Sequence, residues 1–291
     1  MENSFSFETT SYSFTKPHQF DFLTNIPKTT KEFMKRSFDK RNVPTLTLIA
    51  GTTILFYIYD RQLLNVSQKI GRQLGIGNQE NTTGFFRFKS VALFRGPTDL
   101  GSSLYFLGDG WMHVGIMSGF FISGYVSDNN RALSTASALA HGLIFSTLCN
   151  QLLKRTTGRE SPSRADTSER GHWRLFPKTK DYQENVSAFD AFPSGHLATA
   201  MMTFTVITEN YQEYNTWLKP LQYTWLSLLG FEMMNNGVHW ISDYPLALAM
   251  GYLTGKISVE YGRKKNEPNK MTFYPAIGEG GRMGLNMSGT F

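Results

Sequence analysis

An all-α bundle of about six core helices is the fold class this sequence predicts, on three observations. Apolar positions recur at helical spacing at roughly 110–127, 131–153, 195–209, 217–238 and 243–260, after a charge-free apolar run within 44–60. These segments are rich in small residues, as in "ALSTASALAHGLIFSTL", which lets helices approach closely. Helix-start signals fall where the pattern begins, as with Pro193 and Ser194 ahead of "GHLATAMM".

Taken in order, residues 1–43 are polar, rich in Ser, Thr and Phe, and read as a loosely ordered extension. The segment "PTLTLIAGTTILFYIYD", 44–60, is shorter than the ~20 residues of a comfortable membrane span. Lys31, Lys35, Arg36, Lys40 and Arg41 precede it, which is the flank of a cytoplasmic end. A signal-anchor helix and a buried core helix both fit. The helical domain is expected over 44–262, interrupted by polar residues such as Asn150, Glu232 and Asn235. Its long, charged loop 155–192 is of a length that usually carries function. The tail, 263–291, is Gly-rich and has no helical pattern.

Composition narrows the function. A hydrophobic content of 41% over 291 residues suits a folded chain with a sizeable core. The mean hydropathy of −0.28 is low for a chain crossing the bilayer many times. A formal net charge of +6 suits anionic partners such as phosphates or a membrane surface. No zinc-finger spacing, basic heptad helix or RNP-like strand points to nucleic acid. Cys149 is the single cysteine, which rules out an intrachain disulfide and a multi-cysteine metal site.

Three stretches carry chemistry. "KRTTGRESP", 154–162, ends one helix, and "PSGH", 193–196, starts the next. "NGVHWISDYPLALAMGY", 236–252, places His239 and Asp243 four apart, on one face if the segment is helical. There the carboxylate accepts one imidazole N–H and leaves the other nitrogen free to attack. Ser194, Gly195 and the first N–H groups of the following helix suit an anion, with His196 in reach.

This set resembles the type 2 phosphatidic acid phosphatase / vanadium haloperoxidase superfamily. The matching positions are Lys154 and Pro162, then Pro193 to His196, then His239 and Asp243. The resemblance covers 154–243 well and about 105–258 more loosely, and implies the helical bundle of that family. It implies a phosphatase that hydrolyses a phosphomonoester or pyrophosphate, with a lipid as the expected substrate, through a phosphohistidine and without metal or other cofactor. His239 is then the nucleophile, Asp243 its orienting carboxylate and His196 the acid for the leaving oxygen. Lys154, Ser194 and Gly195 bind phosphate oxygens.

Two arginines of the family pattern are absent: Ser161 and Met233 stand in their places, and Glu232 stands where the family has serine. A bidentate guanidinium contact to phosphate is not replaced by Ser or Met. Arg159 is the first choice to supply the lost charge, with Arg155, Arg164, Arg170 and Arg174 as alternatives. His172 and Trp173 are expected at the same mouth. A non-catalytic phosphate- or lipid-binding protein on the same fold is the competing expectation, and a vanadium haloperoxidase a third. Membrane association is expected, with the site on the extracytoplasmic (periplasmic) side.

Overall fold

The computed structural model describes residues 3–7, 10–78, 81–88, 91–166, 169–266, 272–277 and 283–288. Two short strands, β1 (Asn3–Phe7) and β2 (Thr10–Phe14), lead into α1 (Asp21–Thr24), α2 (Ile26–Ser37) and the long α3 (Val43–Gln73). A hairpin, β3 (Thr82–Phe88) and β4 (Val91–Pro97), precedes α4 (Leu100–Phe106), α5 (Gly110–Val126) and α6 (Asn130–Thr157). After α7 (Thr179–Glu184) come α8 (Gly195–Asn210), α9 (Asn215–Asn235) and α10 (Tyr244–Glu260). Three strands end the described chain: β5 (Arg263–Asn266), β6 (Thr272–Ile277) and β7 (Met283–Ser288). The fold is all-α, and the strands are peripheral pairs.

α6 is the central helix, with fifteen buried residues along its length. It packs against α5, α8 and α10. One core cluster joins α6 to α8 and α10 through Ala138, Leu139, Met202, Val206 and Val259. A second joins α8, α9 and α10 through Leu197, Leu229, Met233, Tyr244 and Ala247. The small residues act as expected from the sequence. A Cβ on Gly251 of α10 would lie 2.3 Å from the Ala198 carbonyl oxygen of α8, and one on Gly255 would lie 2.7 Å from Thr205 Cβ.

Three sequence expectations change. Residues 1–43 contain α1 and α2, held by Thr29 Oγ1 at 2.8 Å from His141 Nε2 and by Arg36 at 2.6 and 2.8 Å from Glu260. β2 also pairs antiparallel with β5, so this segment is tied to the start of the tail. The apolar run at 44–60 is the first half of α3, which continues to Gln73 because its second half keeps helix-forming Gln, Leu, Lys and Arg. His239 and Asp243 do not share an α-helix. They lie in a turn and a short 3-10 stretch (Ile241–Asp243), and α10 begins only at Tyr244. Pro245 explains this, since its ring is tolerated in the first helical turn and not inside a helix.

The topology puts one end of each core helix at one place. α5 and α6 are antiparallel neighbours, and the start of α5 lies by residues 143–148 in the second half of α6. The starts of α8 and α10 are at that same end, as Ser194 and Asp243 are joined by a backbone hydrogen bond. Two helical stretches are long and apolar enough to cross a membrane: Lys40–Gln73, whose apolar window is not buried, and Asn130–Thr157, whose window is 61% buried.

The α8–α10 contact gives a test of the packing. Gly251→Ala is expected to destabilise the protein by about 1–3 kcal/mol or more through overpacking against backbone. Gly119→Ala on α5, where a Cβ meets nothing within 4 Å, should be neutral or stabilising. Thermal unfolding of the two variants beside the wild type checks both.

Candidate active site

The first motif is set by the way α6 ends. Gly158 closes the helix in the left-handed conformation, φ +53°, and its N–H bonds the Lys154 carbonyl. A Cβ there would lie 2.0 Å from the Arg174 carbonyl oxygen, so the close approach of the loop requires glycine. The chain then runs between two loop segments. Arg159 bridges Trp173 on one side and Asp190 on the other. Its carbonyl accepts the Ala191 N–H at 2.9 Å. The long loop is therefore stitched to the end of α6, which brings residues 187–196 over Lys154.

Lys154 is buried, and its Nζ lies 2.8 Å from Asp190 Oδ2. The same ammonium is 3.7 Å from where a Cβ on Gly195 would be, so it sits beside the first turn of α8. Tyr182 donates its hydroxyl to the other Asp190 oxygen. Burial, reinforced by that carboxylate, pushes the phenol well above its usual range, so Tyr182 stays a neutral donor. Ser194 is the α8 N-cap, fully buried, and accepts the Leu197 N–H at 3.5 Å. Its own N–H donates to the Asp243 carbonyl at 3.2 Å.

The two histidines of the sequence reading are brought together. The rings of His196 and His239 are 5.8 Å apart, edge to face, and the Tyr105 ring packs against His196 at 5.0 Å. His239 is buried. Its Nδ1 lies 2.7 Å from the Ala191 carbonyl oxygen and 3.6 Å from Asp243 Oδ2. A carbonyl can only accept, so Nδ1 carries the proton and Nε2 presents its lone pair. That Nε2 is buried and has no hydrogen-bond partner among the described residues, and neither has Nδ1 of His196. The group expected to fix the His239 tautomer was Asp243. The Ala191 carbonyl does so instead, with Asp243 as a nearby negative charge.

Asp243 is held from behind. Its Oδ2 accepts the Trp240 N–H at 2.7 Å, and its Oδ1 accepts from Arg159 Nη1. Arg159 Nη2 lies 2.6 Å from Oδ2 of Asp60, on α3. Asp60 in turn binds Ser242 through its hydroxyl, 2.6 Å, and its N–H, 3.0 Å. All three charged side chains are fully buried. This corrects the expectation for Arg159: it is committed to two carboxylates and does not take the place of a phosphate-binding arginine. The alternatives are also engaged elsewhere. Arg155 lies on Gln151 and 4.5 Å over the Tyr182 ring, Arg170 is 5.8 Å over Tyr57, and Arg174 reaches Glu160 and the Ala188 carbonyl. Arg164 is exposed. His172 pairs with Glu169 on the outside, while Trp173 packs 5.2 Å from Phe192 and 4.9 Å over Arg159.

The two departing positions have different surroundings. Met233 fills the α8–α9–α10 core, and its carbonyl accepts from Val238 and His239 N–H. Ser161 lines a cavity of about 430 Å³ with Ser163, Glu184, Asn185, Ser187 and Asp190. Val186 and Val238 complete the lining, and the cavity adjoins the site at Asp190. Asp60, Asp190, Tyr182 and Ser242 were missed by the sequence reading. Only Asp60 carried a signal, as the first charge after the apolar run. Among the described residues, no group of three or more His, Cys, Asp and Glu side chains is arranged to hold a metal ion.

Residues 135–267 match the model of the PAP2 superfamily. The chain is 34% identical over 71 residues to the lipid A 1-phosphatase of Porphyromonas gingivalis, a match that covers 24% of this chain and 16% of that protein. The crystal structure of Aquifex aeolicus LpxE aligns with a TM-score of 0.40 at 19% identity, over 55% of this chain and 84% of that one.

Arg159→Leu is expected to cost about 3–5 kcal/mol, because Asp60 and Asp243 would be left buried and uncompensated. Arg159→Lys should recover little of this, since one ammonium does not reproduce two divergent N–H contacts. Denaturant unfolding of the three proteins measures it.

Proposed function

We infer, from the match of residues 135–267 to the PAP2 superfamily model and from the paired histidines, that the chain is a phosphatase. Its substrate is a phosphomonoester or pyrophosphate of a lipid, and it works through a phosphohistidine without metal. The observation that carries the reading is His239: tautomer fixed by Ala191, Nε2 lone pair free, and His196 5.8 Å away across the space beside Lys154. His239 Nε2 attacks phosphorus and the P–O bond to the leaving group breaks. His196 gives its proton to the departing oxygen. The imidazolium proton on Nδ1 is shared with the Ala191 carbonyl, and the Asp243 charge offsets the positive ring. In the second half His196 takes a proton from water, the water oxygen attacks phosphorus, and phosphate leaves as His239 is restored. Lys154, Ser194 and the Gly195 N–H, at the start of α8, would donate to the phosphate oxygens.

The lipid part draws support from the similarity to a lipid A 1-phosphatase and from the exposed apolar face of α3, with Leu48, Ile54, Leu55 and Ile58. In this reading α3 crosses the membrane. Lys31, Lys35, Arg36, Lys40 and Arg41 precede it at the cytoplasmic end. α2 packs at the end of α10 far from the site, where Arg36 meets Glu260, and Asp60 reaches the site from the second half of α3. The active site then opens on the extracytoplasmic side.

A second reading, a non-catalytic phosphate- or lipid-binding protein, is favoured by Ser161 and Met233 and by the Lys154–Asp190 pair, which together leave few free cations for a phosphate dianion. Phosphate release from a panel of lipid and soluble phosphate esters separates the two. The phosphatase reading expects turnover that His239→Ala abolishes. It also expects His196→Ala to lose more rate with poor leaving groups than with good ones, because an already stable leaving oxygen needs less protonation. Phosphate binding by the folded wild type without release from any ester would favour the second reading. For orientation, Glu184→Cys in a Cys149→Ser background should react with a membrane-impermeant maleimide on intact cells. Lys31→Cys should react only after permeabilisation.

A further inference from the structure

His113 has no place in the motifs, yet it lies at the same end of the bundle. It sits in the second turn of α5, fully buried, and neither of its ring nitrogens has a hydrogen-bond partner among the described residues. α5 starts beside residues 143–148 of α6, ahead of Lys154 on that helix, and the turn before α5 is pressed on the site: a Cβ on Gly108 would lie 2.8 Å from His196 Cβ. His113 is also within electrostatic reach of His196, as are His239 and Lys154.

A buried imidazole with two unpaired nitrogens is costly, because both were hydrogen-bonded to water in the unfolded chain. An apolar side chain of similar volume would fill that place at lower cost. The other buried ring nitrogens without partners in this region are His196 Nδ1 and His239 Nε2, and the mechanism gives both rings work. The site meanwhile lacks a guanidinium at Ser161 and at Met233, and its one lysine is shared with Asp190.

We propose that His113 is a phosphate-binding residue of this site, a third imidazole that donates a hydrogen bond to the substrate's phosphoryl oxygens in place of the absent arginines. The proposal rests on the phosphatase reading and deepens it. It concerns the bound phosphoryl group alone, so it applies to a lipid ester and to free phosphate.

The test uses the full-length protein in detergent, with inorganic phosphate and orthovanadate as probes. His113→Leu should unfold at or above the wild-type temperature without ligand, bind phosphate at least about tenfold more weakly and raise KM for a lipid phosphomonoester. His113→Gln keeps an N–H donor and should retain more phosphate affinity than His113→Leu. In the wild type labelled with 15N-histidine, saturating phosphate should move the His113 signals, identified by their absence from His113→Gln. This measurement decides the matter even if His113→Leu does not fold.

Unchanged phosphate affinity in a folded His113→Leu, or His113 signals that phosphate leaves in place, would overturn the proposal. If that occurs while the wild type turns over substrate and His239→Ala does not, the phosphatase reading stands and the His113 assignment alone is lost. If the wild type neither binds phosphate nor turns over any ester, both fall.

Discussion

The guanidinium of Arg159 is the interaction on which the rest of the site depends. It sits between Asp60 of α3 and Asp243 ahead of α10, with no access to solvent. Ser242 and the Trp240 N–H complete the donors around the two carboxylates. The cluster is anionic by formal charge, and it holds together because every oxygen of both carboxylates accepts at least one hydrogen bond. The Arg159 backbone is equally engaged, bridging Trp173 and Asp190. One residue thus fixes the long helix α3, the turn that carries His239, and the loop that carries Ala191 and Asp190. With Asp243 Oδ1 held by Arg159, only Oδ2 is turned to His239, and the Ala191 carbonyl takes the Nδ1 proton.

The electrostatics on the other side of the histidines follow a different rule. Lys154 is buried next to the positive end of α8, where an unpaired ammonium would be repelled by the helix dipole as well as desolvated. Asp190 offsets that charge, and Tyr182 keeps Asp190 in place by a hydrogen bond from a phenol that stays protonated. In the proposed phosphatase reading, an arriving phosphate would share Lys154 with this carboxylate.

Much of this was legible in the sequence, and the limits have physical causes. Lys154, Ser194, Gly195, His196, His239 and Asp243 were expected together, and they do come together because their local spacing sets them at helix ends. The periodicity located α5, α6, α8, α9 and α10 to within a few residues. Arg159 was recognised and misassigned, since its role depends on Asp60, far away in sequence on a helix read only as apolar. Asp190 lies three residues before a recognised motif, but nothing local says that it meets Lys154. The helical face expected for His239 and Asp243 failed at Pro245. His113 has no flanking signal at all. Its significance comes from the packing of α5 against α6 and α8, and from having no partner there.

The central claim is that His239 becomes covalently phosphorylated. Rapid quenching of the protein with a lipid phosphomonoester labelled with 32P at the phosphate should trap label on the chain, stable to alkali and released by acid, as expected of a phosphoramidate. Proteolysis should place it on the peptide that contains His239. Hydrolysis of the same substrate with no label trapped on that histidine under single-turnover conditions, or label on a different residue, would contradict the account.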